Sequence, residues 1–212
     1  MLEELVYTAL WMGLFASLDH LIRYLKYEKP YYAVHALHNA LIVYATGSDL
    51  VHTFTDLYNL QMYATNWFAI QLCFALHLYH CALYWKSFRS DDWLHHGLMI
   101  GVALPIGCIP EAHTFTGMSL FFTTGLPGGI DYALLFSVRN GWIDRHTEKR
   151  INAFLNVWIR SPGCMAMAAL SIACNLSQPS VYWITLLPSL LNYWNGQYFM
   201  QQVLTDSVMK LN

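Results

Sequence analysis

Charged side chains are scarce in this chain of 212 residues. Asp, Glu, Lys and Arg make up 11% of it and hydrophobic residues 56%, with a mean hydropathy of +0.33. Soluble domains carry about 25% charged residues, so the composition excludes an ordinary soluble domain. The net charge of −2 also excludes the basic footprint of a nucleic-acid-binding protein.

A secretory start and a paired-cysteine pattern are missing too. The chain begins Met1-Leu2-Glu3-Glu4, whereas a secretory signal begins with positive charge, so we expect the first apolar segment to be retained. The five cysteines show no C-x-x-C spacing and lie mostly in apolar stretches. We interpret them as small core residues, not as a disulfide or zinc framework.

Long apolar runs dominate instead, and a membrane-spanning helix needs about 20 such residues. Candidate spans cover residues 6–24, 31–51, 65–85, 93–109, 115–138, a sixth ending near 176, and 181–200. We expect a break at 160–163 in the sixth span, with 151–158 along the interface, and an unwound or kinked turn at 125–129 in the fifth. The sequence predicts an all-α polytopic membrane bundle of about six or seven transmembrane helices, with residues 1–212 as one domain.

Lysine and arginine are missing from alternate loops. The loops around 56–64, 109–113 and 177–180 contain neither. With seven crossings, all of the basic residues except Arg160 lie on one face, which is the positive-inside pattern. We therefore expect an integral membrane protein of the endoplasmic reticulum or another organelle. Its basic loops would face the cytosol, or the matrix if the membrane is mitochondrial.

Ten histidines are many for so apolar a chain. A polar ring in hydrocarbon is costly unless it is paired or lines a cavity. In this topology the half of the membrane next to the basic loops contains His20, His35, His38, His77, His80, His95 and His96, with Asp131 and Tyr132 at the same level. His113 is placed at the opposite face. One cavity, which holds a lipid or an acyl chain, is predicted to be lined by His35, His38, His77, His80, His95, His96, Asp131 and Tyr132.

The spacing of the histidines indicates how they are arranged. His35 and His38 are three residues apart, as are His77 and His80, so each pair projects from one helical face. The adjacent His95 and His96 point about 100° apart, so one is expected to enter the pocket while the other bonds a neighbouring helix. Neutral imidazole acts as base, acid or nucleophile, which suits acyl transfer from a thioester.

Three stretches resemble the TLC domain, the family of ceramide synthases and related multi-pass lipid proteins. Residues 85–96 (WKSFRSDDWLHH) form a polar approach to the paired histidines. Residues 31–44 are similar to the early TLC helix that follows a basic loop, and 152–160 to the family's asparagine-to-arginine stretch. The TLC-like region runs from about 26 to 165, roughly two-thirds of the chain.

The resemblance implies a lipid acyltransferase that uses acyl-CoA as a substrate and holds no bound cofactor. His95 and His96 would be its catalytic pair, Asp131 would orient or charge-balance an imidazole, and Lys86 and Arg89 would attract the phosphates of coenzyme A. The family's His-Asp-x-x-Asp pattern is missing here. A related lipid acyltransferase, or a member that binds lipid without catalysis, therefore fits better than ceramide synthesis. Membrane lipids are the expected partners.

Two other hypotheses stay open. The spacings also loosely resemble the histidine boxes of lipid desaturases and hydroxylases, although those usually contain more histidines. Imidazole suits iron, and the metal ligands would then be His35, His38, His77, His80, His95 and His96. Alternatively, the chain is a non-catalytic accessory subunit bound to other membrane subunits. Gly97 and Gly101 are expected to let another helix approach closely.

Overall fold

The computed structural model describes residues 2–109, 114–177 and 183–211. The fold is all-α, as predicted, and 90% of it is helical. Between 109 and 114 the chain lies outside the described residues, and so does the position expected for His113.

The helices follow one another with short connections. In chain order they are α1 (Leu2–Tyr24), α2 (Pro30–Thr55), α3 (Trp67–Tyr84), α4 (Ser90–Leu98), α5 (Leu104–Gly107), α6 (Phe115–Leu120), α7 (Leu126–Arg139), α8 (Arg145–Leu155), α9 (Ser161–Ser177) and α10 (Trp183–Leu211). Turns of π-helix at Met99–Ala103, Phe121–Gly125 and Asn156–Arg160 join α4 to α5, α6 to α7 and α8 to α9. The described chain is thus seven helical segments.

Three of the segments are long and apolar enough to cross a membrane. They are Leu2–Tyr24, Trp67–Ser87 and Arg145–Ser177. The first and third of the predicted spans coincide with two of them. The last of the three, Arg145–Ser177, contains the predicted sixth span.

The predicted break in the sixth span is wrong. The chain stays helical from Arg145 to Ser177, so 151–158 is part of one long helix and not a separate interfacial piece. Residues 125–129 likewise remain helical, within the π-turn and the start of α7.

Turns of π-helix explain how these helices continue past prolines that would normally end them. A proline in a helix has no N–H to donate, and its ring crowds the carbonyl four residues earlier. Pro105, Pro127 and Pro162 each stand two residues after a π-turn. In each case the residue just before the proline donates its N–H five residues back: Leu104 to Met99, Leu126 to Phe121, and Ser161 to Asn156. The wider turn accommodates the proline ring, and the helix is bulged instead of ended.

Helices α1, α2 and α3 share the larger apolar core. It is centred on buried residues such as Phe15, Val34, Ile42 and Leu72. Helix α2 also packs along α6 and α7, and α9 along α10. A smaller core contains Leu60, Phe115, Met118 and Met167. The fourth segment, with His95 and His96, is held mainly against α3 and α10.

The outer surface is apolar, unlike that of a soluble protein, and polar side chains are buried beside the apolar cores. Large apolar side chains lie on the outer surface, among them Leu5, Leu10, Phe154, Trp158 and Leu190. The buried polar set includes Asp19, His38, Asn39, Thr46, Gln71, Asn156 and Arg160. Apolar side chains outside and hydrogen-bonded polar groups inside are what a lipid environment favours.

Gly97 and Gly101 do not mark a helix contact. A Cβ atom added at either position meets nothing within 4 Å among the described residues. The close approaches are instead at Gly117, Gly128, Gly163 and Gly196, where an added Cβ lies less than 3 Å from a neighbouring side chain.

Helix α8 begins at a hydrogen-bonded cap in the loop after α7. The Asp144 carboxylate accepts the Thr147 hydroxyl at 2.6 Å and the Thr147 N–H at 2.8 Å. These bonds favour the charged carboxylate and hold the pKa of Asp144 below its usual value.

A buried carboxylate joins α1 to α3. Asp19 accepts the Tyr79 hydroxyl at 2.6 Å and also the Tyr84 hydroxyl. Arg23, one turn further along α1, donates to its other oxygen at 2.9 Å. All three donors lose their shared acceptor if Asp19 is truncated.

Asp19→Ala is therefore expected to lower the stability of the fold by about 2 kcal/mol, the cost of leaving buried hydroxyls without an acceptor. Glu3→Ala, an exposed acidic position on the same helix, is the matched control and should change little. Thermal unfolding of both variants in detergent measures the difference. Equal melting temperatures would show that the Asp19 network does not stabilise the helix pair.

Candidate functional site

One cavity of about 840 Å³ runs through the bundle. That volume falls within the usual range of ligand pockets. The sequence-predicted residues that line it are His35, His38, His77, His80, His95, His96, Asp131, Tyr132 and Arg89. Eight positions on four segments, chosen from spacing and membrane depth, therefore face one space together with Arg89. Whether they act in catalysis or in binding stays a prediction.

Most of the remaining wall is apolar. It is contributed by Leu60, Leu98, Met99, Ile106, Phe115, Leu120, Met167, Leu191 and Phe199 among others. The cavity thus combines a histidine-rich polar region with a long aliphatic and aromatic surface. This combination suits an amphipathic ligand.

Three histidine rings form a hydrogen-bonded chain. The Nδ1 atoms of His77 and His96 are 2.8 Å apart, and His96 Nε2 is 3.1 Å from His80 Nδ1. A neutral imidazole has one donor and one acceptor nitrogen. His96 can therefore accept from one neighbour and donate to the other, and both of its nitrogens are occupied. It is buried, and Phe88 stacks on it with ring centroids 4.7 Å apart.

His35 and His38 are held by bonds within α2. His35 Nδ1 is 2.7 Å from the Tyr31 carbonyl oxygen. A carbonyl only accepts, so Nδ1 carries the hydrogen and Nε2 is left as an acceptor. The ring lies 4.5 Å from that of Tyr132 and 5.0 Å from that of His80. His38 Nδ1 lies 2.8 Å from Asn39 Oδ1.

His95 differs from its neighbour. Its ring is exposed to the cavity, with centroid distances of 5.2 Å to His77 and 5.3 Å to His96. None of the side-chain hydrogen bonds found among the described residues ties its nitrogens. Both rings therefore line the cavity, and of the two only His96 is bonded to the neighbouring helix α3 among the described residues.

Asp131 interacts electrostatically with an arginine, and with no imidazole, among the described residues. The charged groups that interact with it are Arg160, Glu148 and Lys149. Its buried Oδ1 atom has no hydrogen-bond partner among the described residues. The structure does not bring Asp131 to the histidine pair, which it was predicted to orient.

Arg160 is a site residue that sequence reasoning missed. It is 7% exposed and lines the cavity. A ladder with four-residue spacing holds it: Asn152 donates to Glu148 at 3.4 Å, Asn156 to Asn152 Oδ1 at 2.6 Å, and Arg160 Nη1 to Asn156 Oδ1 at 3.1 Å. The signal was present in the sequence, because these polar residues repeat every four positions and Arg160 was the one basic residue off the basic face.

Of the two residues predicted to attract phosphates, Arg89 lines the cavity and Lys86 does not. Arg89 lines the cavity, but its guanidinium is 2.9 Å from Asp91 and 3.8 Å from Asp92. Lys86 is outside the lining, with Nζ 5.6 Å from the Trp85 ring centroid. The two carboxylates beside Arg89 would compete with phosphates for it.

Among the described residues, no group of three or more His, Cys, Asp or Glu is arranged to hold a metal ion. The metal-oxygenase hypothesis stays a prediction. Elemental analysis of the purified protein tests it, with iron near one or two atoms per chain as the result that would support it.

Comparison with family models, curated proteins and solved structures gave no match to this chain.

Proposed function

We propose that this chain is a multi-pass membrane protein, similar to TLC-domain proteins, that binds a lipid in its histidine-lined cavity. Its seven helical segments would make six or seven crossings, with the basic loops on the cytosolic or matrix side. The observation that carries the proposal is the combination in one cavity of six histidines with a long apolar wall. An acyl chain would lie along the apolar wall, with its head near the imidazoles.

The apolar outer surface of the bundle supports a location in the membrane. An outer surface of Leu, Phe and Trp side chains would be costly in water and favourable in lipid. A cavity reached from within the membrane offers an acyl chain an apolar wall of similar polarity to the bilayer, together with hydrogen-bonding groups that the bilayer core lacks.

We further propose acyl transfer as the reaction of this site. The free imidazole of His95 would take the proton of an incoming hydroxyl or amine while that group attacks the thioester carbonyl of an acyl-CoA. The carbon–sulfur bond then breaks, and the imidazolium returns its proton to the leaving thiolate. Acid–base work of this kind needs a ring with unoccupied nitrogens. His95 satisfies that condition better than His96.

A tryptophan placed in the cavity tests lipid binding. Ala103 lines the cavity, whereas Ala133 is exposed on the outer surface of α7. Ala103→Trp should lower the lipid that co-purifies with the protein by roughly fivefold, because the indole fills space that a ligand must occupy. Ala133→Trp, the matched control, should retain the wild-type amount.

Quantitative lipid mass spectrometry of both variants, after purification in the same detergent, gives the comparison. Size-exclusion profiles establish that both variants are folded. The proposal is overturned if wild type carries no more lipid than a detergent blank. Equal lipid loads in the folded variants would also exclude this cavity as the lipid site.

A further inference from the structure

We propose that the cavity has a second polar centre, built around Arg160, which binds the uncharged hydroxyl group of a lipid. We define the Arg160 centre as Asp131, Arg160 and Asn195. The inference rests on the proposed lipid-binding function and names the chemical class of the ligand.

Unpartnered polar atoms are concentrated at this place. The buried side-chain atoms that lack a hydrogen-bond partner in the described structure are His38 Nε2, Asn39 Nδ2, Asp131 Oδ1, Arg160 Nε and Asn195 Oδ1. All of these residues except Asn39 line the cavity. A buried polar group without a partner is costly, so the presence of several such groups in the lining of one cavity indicates groups that can bind a ligand.

Neighbouring side chains hold the Arg160 guanidinium in position, but none of its described contacts is with a carboxylate. Asn156 accepts from Nη1 at 3.1 Å, and the Phe199 ring centroid lies 5.0 Å from the guanidinium carbon. Both of these neighbours are uncharged. Within the described residues no carboxylate forms a salt bridge with Arg160, while the nearby Lys149 is paired with Asp206 and Glu148. The buried cation therefore keeps donor capacity for a ligand.

Helices α2, α7 and α10 all approach Arg160. A Cβ atom at Gly128 would lie 3.6 Å from Arg160 Nη2 and 2.9 Å from Asn39 Nδ2. The missing side chain at Gly128 thus lets α2, α7 and the π-turn before α9 meet. Asp131 is three residues further along α7, on the same face as Gly128. Asn195 is one turn before Phe199 on α10.

The chemistry of the centre favours a neutral group that both accepts and donates. Arg160 donates only, a carboxylate at Asp131 accepts only, and Asn195 offers its unpaired oxygen. Their formal charges cancel, so a charged head would add net charge to a buried site, at a high desolvation cost. A hydroxyl oxygen accepts from Arg160 while its hydrogen goes to Asp131 or Asn195. The apolar wall of the same cavity accommodates the rest of the molecule.

The test uses three ligands with the same chain and different heads: hexadecanol, hexadecanoic acid and hexadecylamine. Each is titrated as a radiolabelled ligand into the purified full-length protein in nanodiscs. We expect hexadecanol to bind wild type about tenfold more tightly than the other two. Arg160→Met keeps the volume but removes the donors, and should weaken hexadecanol binding about tenfold, the size of one hydrogen bond to a charged group.

Arg139→Met is the matched control, because Arg139 is exposed at the end of α7; it should bind all three ligands as wild type does. Asn195→Leu gives a second variant in case Arg160→Met does not fold, and should also weaken hexadecanol binding. Tightest binding of the acid or the amine, equal binding of all three, or the same loss in Arg139→Met overturns the hydroxyl assignment. These results leave lipid binding itself intact, whereas no binding of any of the three overturns the proposed function as well.

Discussion

Replacing Gly163 by alanine is expected to destabilise the fold by about 3 kcal/mol, the upper part of the usual range for overpacking a filled core. Gly163 lies in the first turn of α9, against the π-turn that joins α6 to α7. An added Cβ would stand 2.1 Å from Cδ1, 2.3 Å from Cγ and 2.5 Å from Cε1 of Phe122. Contact with Cγ cannot be relieved by moving only the far end of the ring.

The physical reason lies in how closely the two segments approach. Glycine at 163 lets Phe122 lie directly against the α9 backbone, so even one methyl group forces the helices apart. The melting temperature in detergent should fall by roughly 10 °C for a change of this size in a chain of this length. Loss of the monodisperse peak in size-exclusion chromatography would be the extreme form of the same result.

Gly13→Ala is the matched control and should have the opposite sign. Gly13 is exposed in the middle of α1, and an added Cβ meets nothing within 4 Å. There the substitution removes only the conformational cost of glycine in a helix, a gain of up to about 1 kcal/mol. If both variants melt at the same temperature, the contact between Gly163 and Phe122 does not limit the packing of these segments.

The presence of the histidines in one cavity was predictable because two simple sequence patterns determine it. Apolar runs fix where the segments lie along the chain, and three-residue spacing puts His35 with His38, and His77 with His80, on single helix faces. A polar ring that cannot face lipid must face the interior. These rules act within one helix at a time, so the sequence carries them directly.

The continuous sixth segment was not predictable from the same rules. Ser161-Pro162-Gly163 normally ends a helix, but here the π-turn at Asn156–Arg160 widens the preceding turn and keeps the backbone hydrogen-bonded. Whether a proline breaks or bulges a helix depends on the neighbouring segments that pack around it. That information is tertiary.

The misplacement of Asp131 has the same origin. Membrane depth put Asp131 at the level of the histidines, but depth does not specify which side of the bundle a helix faces. The packing of α7 against α2 and α8 leaves Asp131 interacting electrostatically with Arg160 and with no histidine. The four-residue repeat of Glu148, Asn152, Asn156 and Arg160 would have revealed the polar face of that partner helix, although not the helix that it meets.

Replacing His95 is expected to affect acyl transfer, whereas replacing His96 is expected to affect stability. His95→Ala should reduce acyl transfer by roughly 10²–10⁴-fold, the usual contribution of a general acid–base, with the melting temperature unchanged. Its ring faces the cavity without a hydrogen bond among the described residues, so folding loses little. His96→Ala should instead lower stability by about 1–3 kcal/mol, because the Nδ1 atoms of His77 and His80 both lose their partner.

The measurement is transfer of a labelled acyl chain from acyl-CoA to lipid in proteoliposomes, with thermal unfolding of each variant alongside. His146→Ala replaces an exposed histidine in the first turn of α8; it serves as the control and should match wild type in both assays. Equal loss of stability in His95→Ala and His96→Ala would remove the distinction between a free and a bonded ring. A folded His95→Ala variant with wild-type transfer would exclude His95 as the acid–base and leave lipid binding as the role of the cavity.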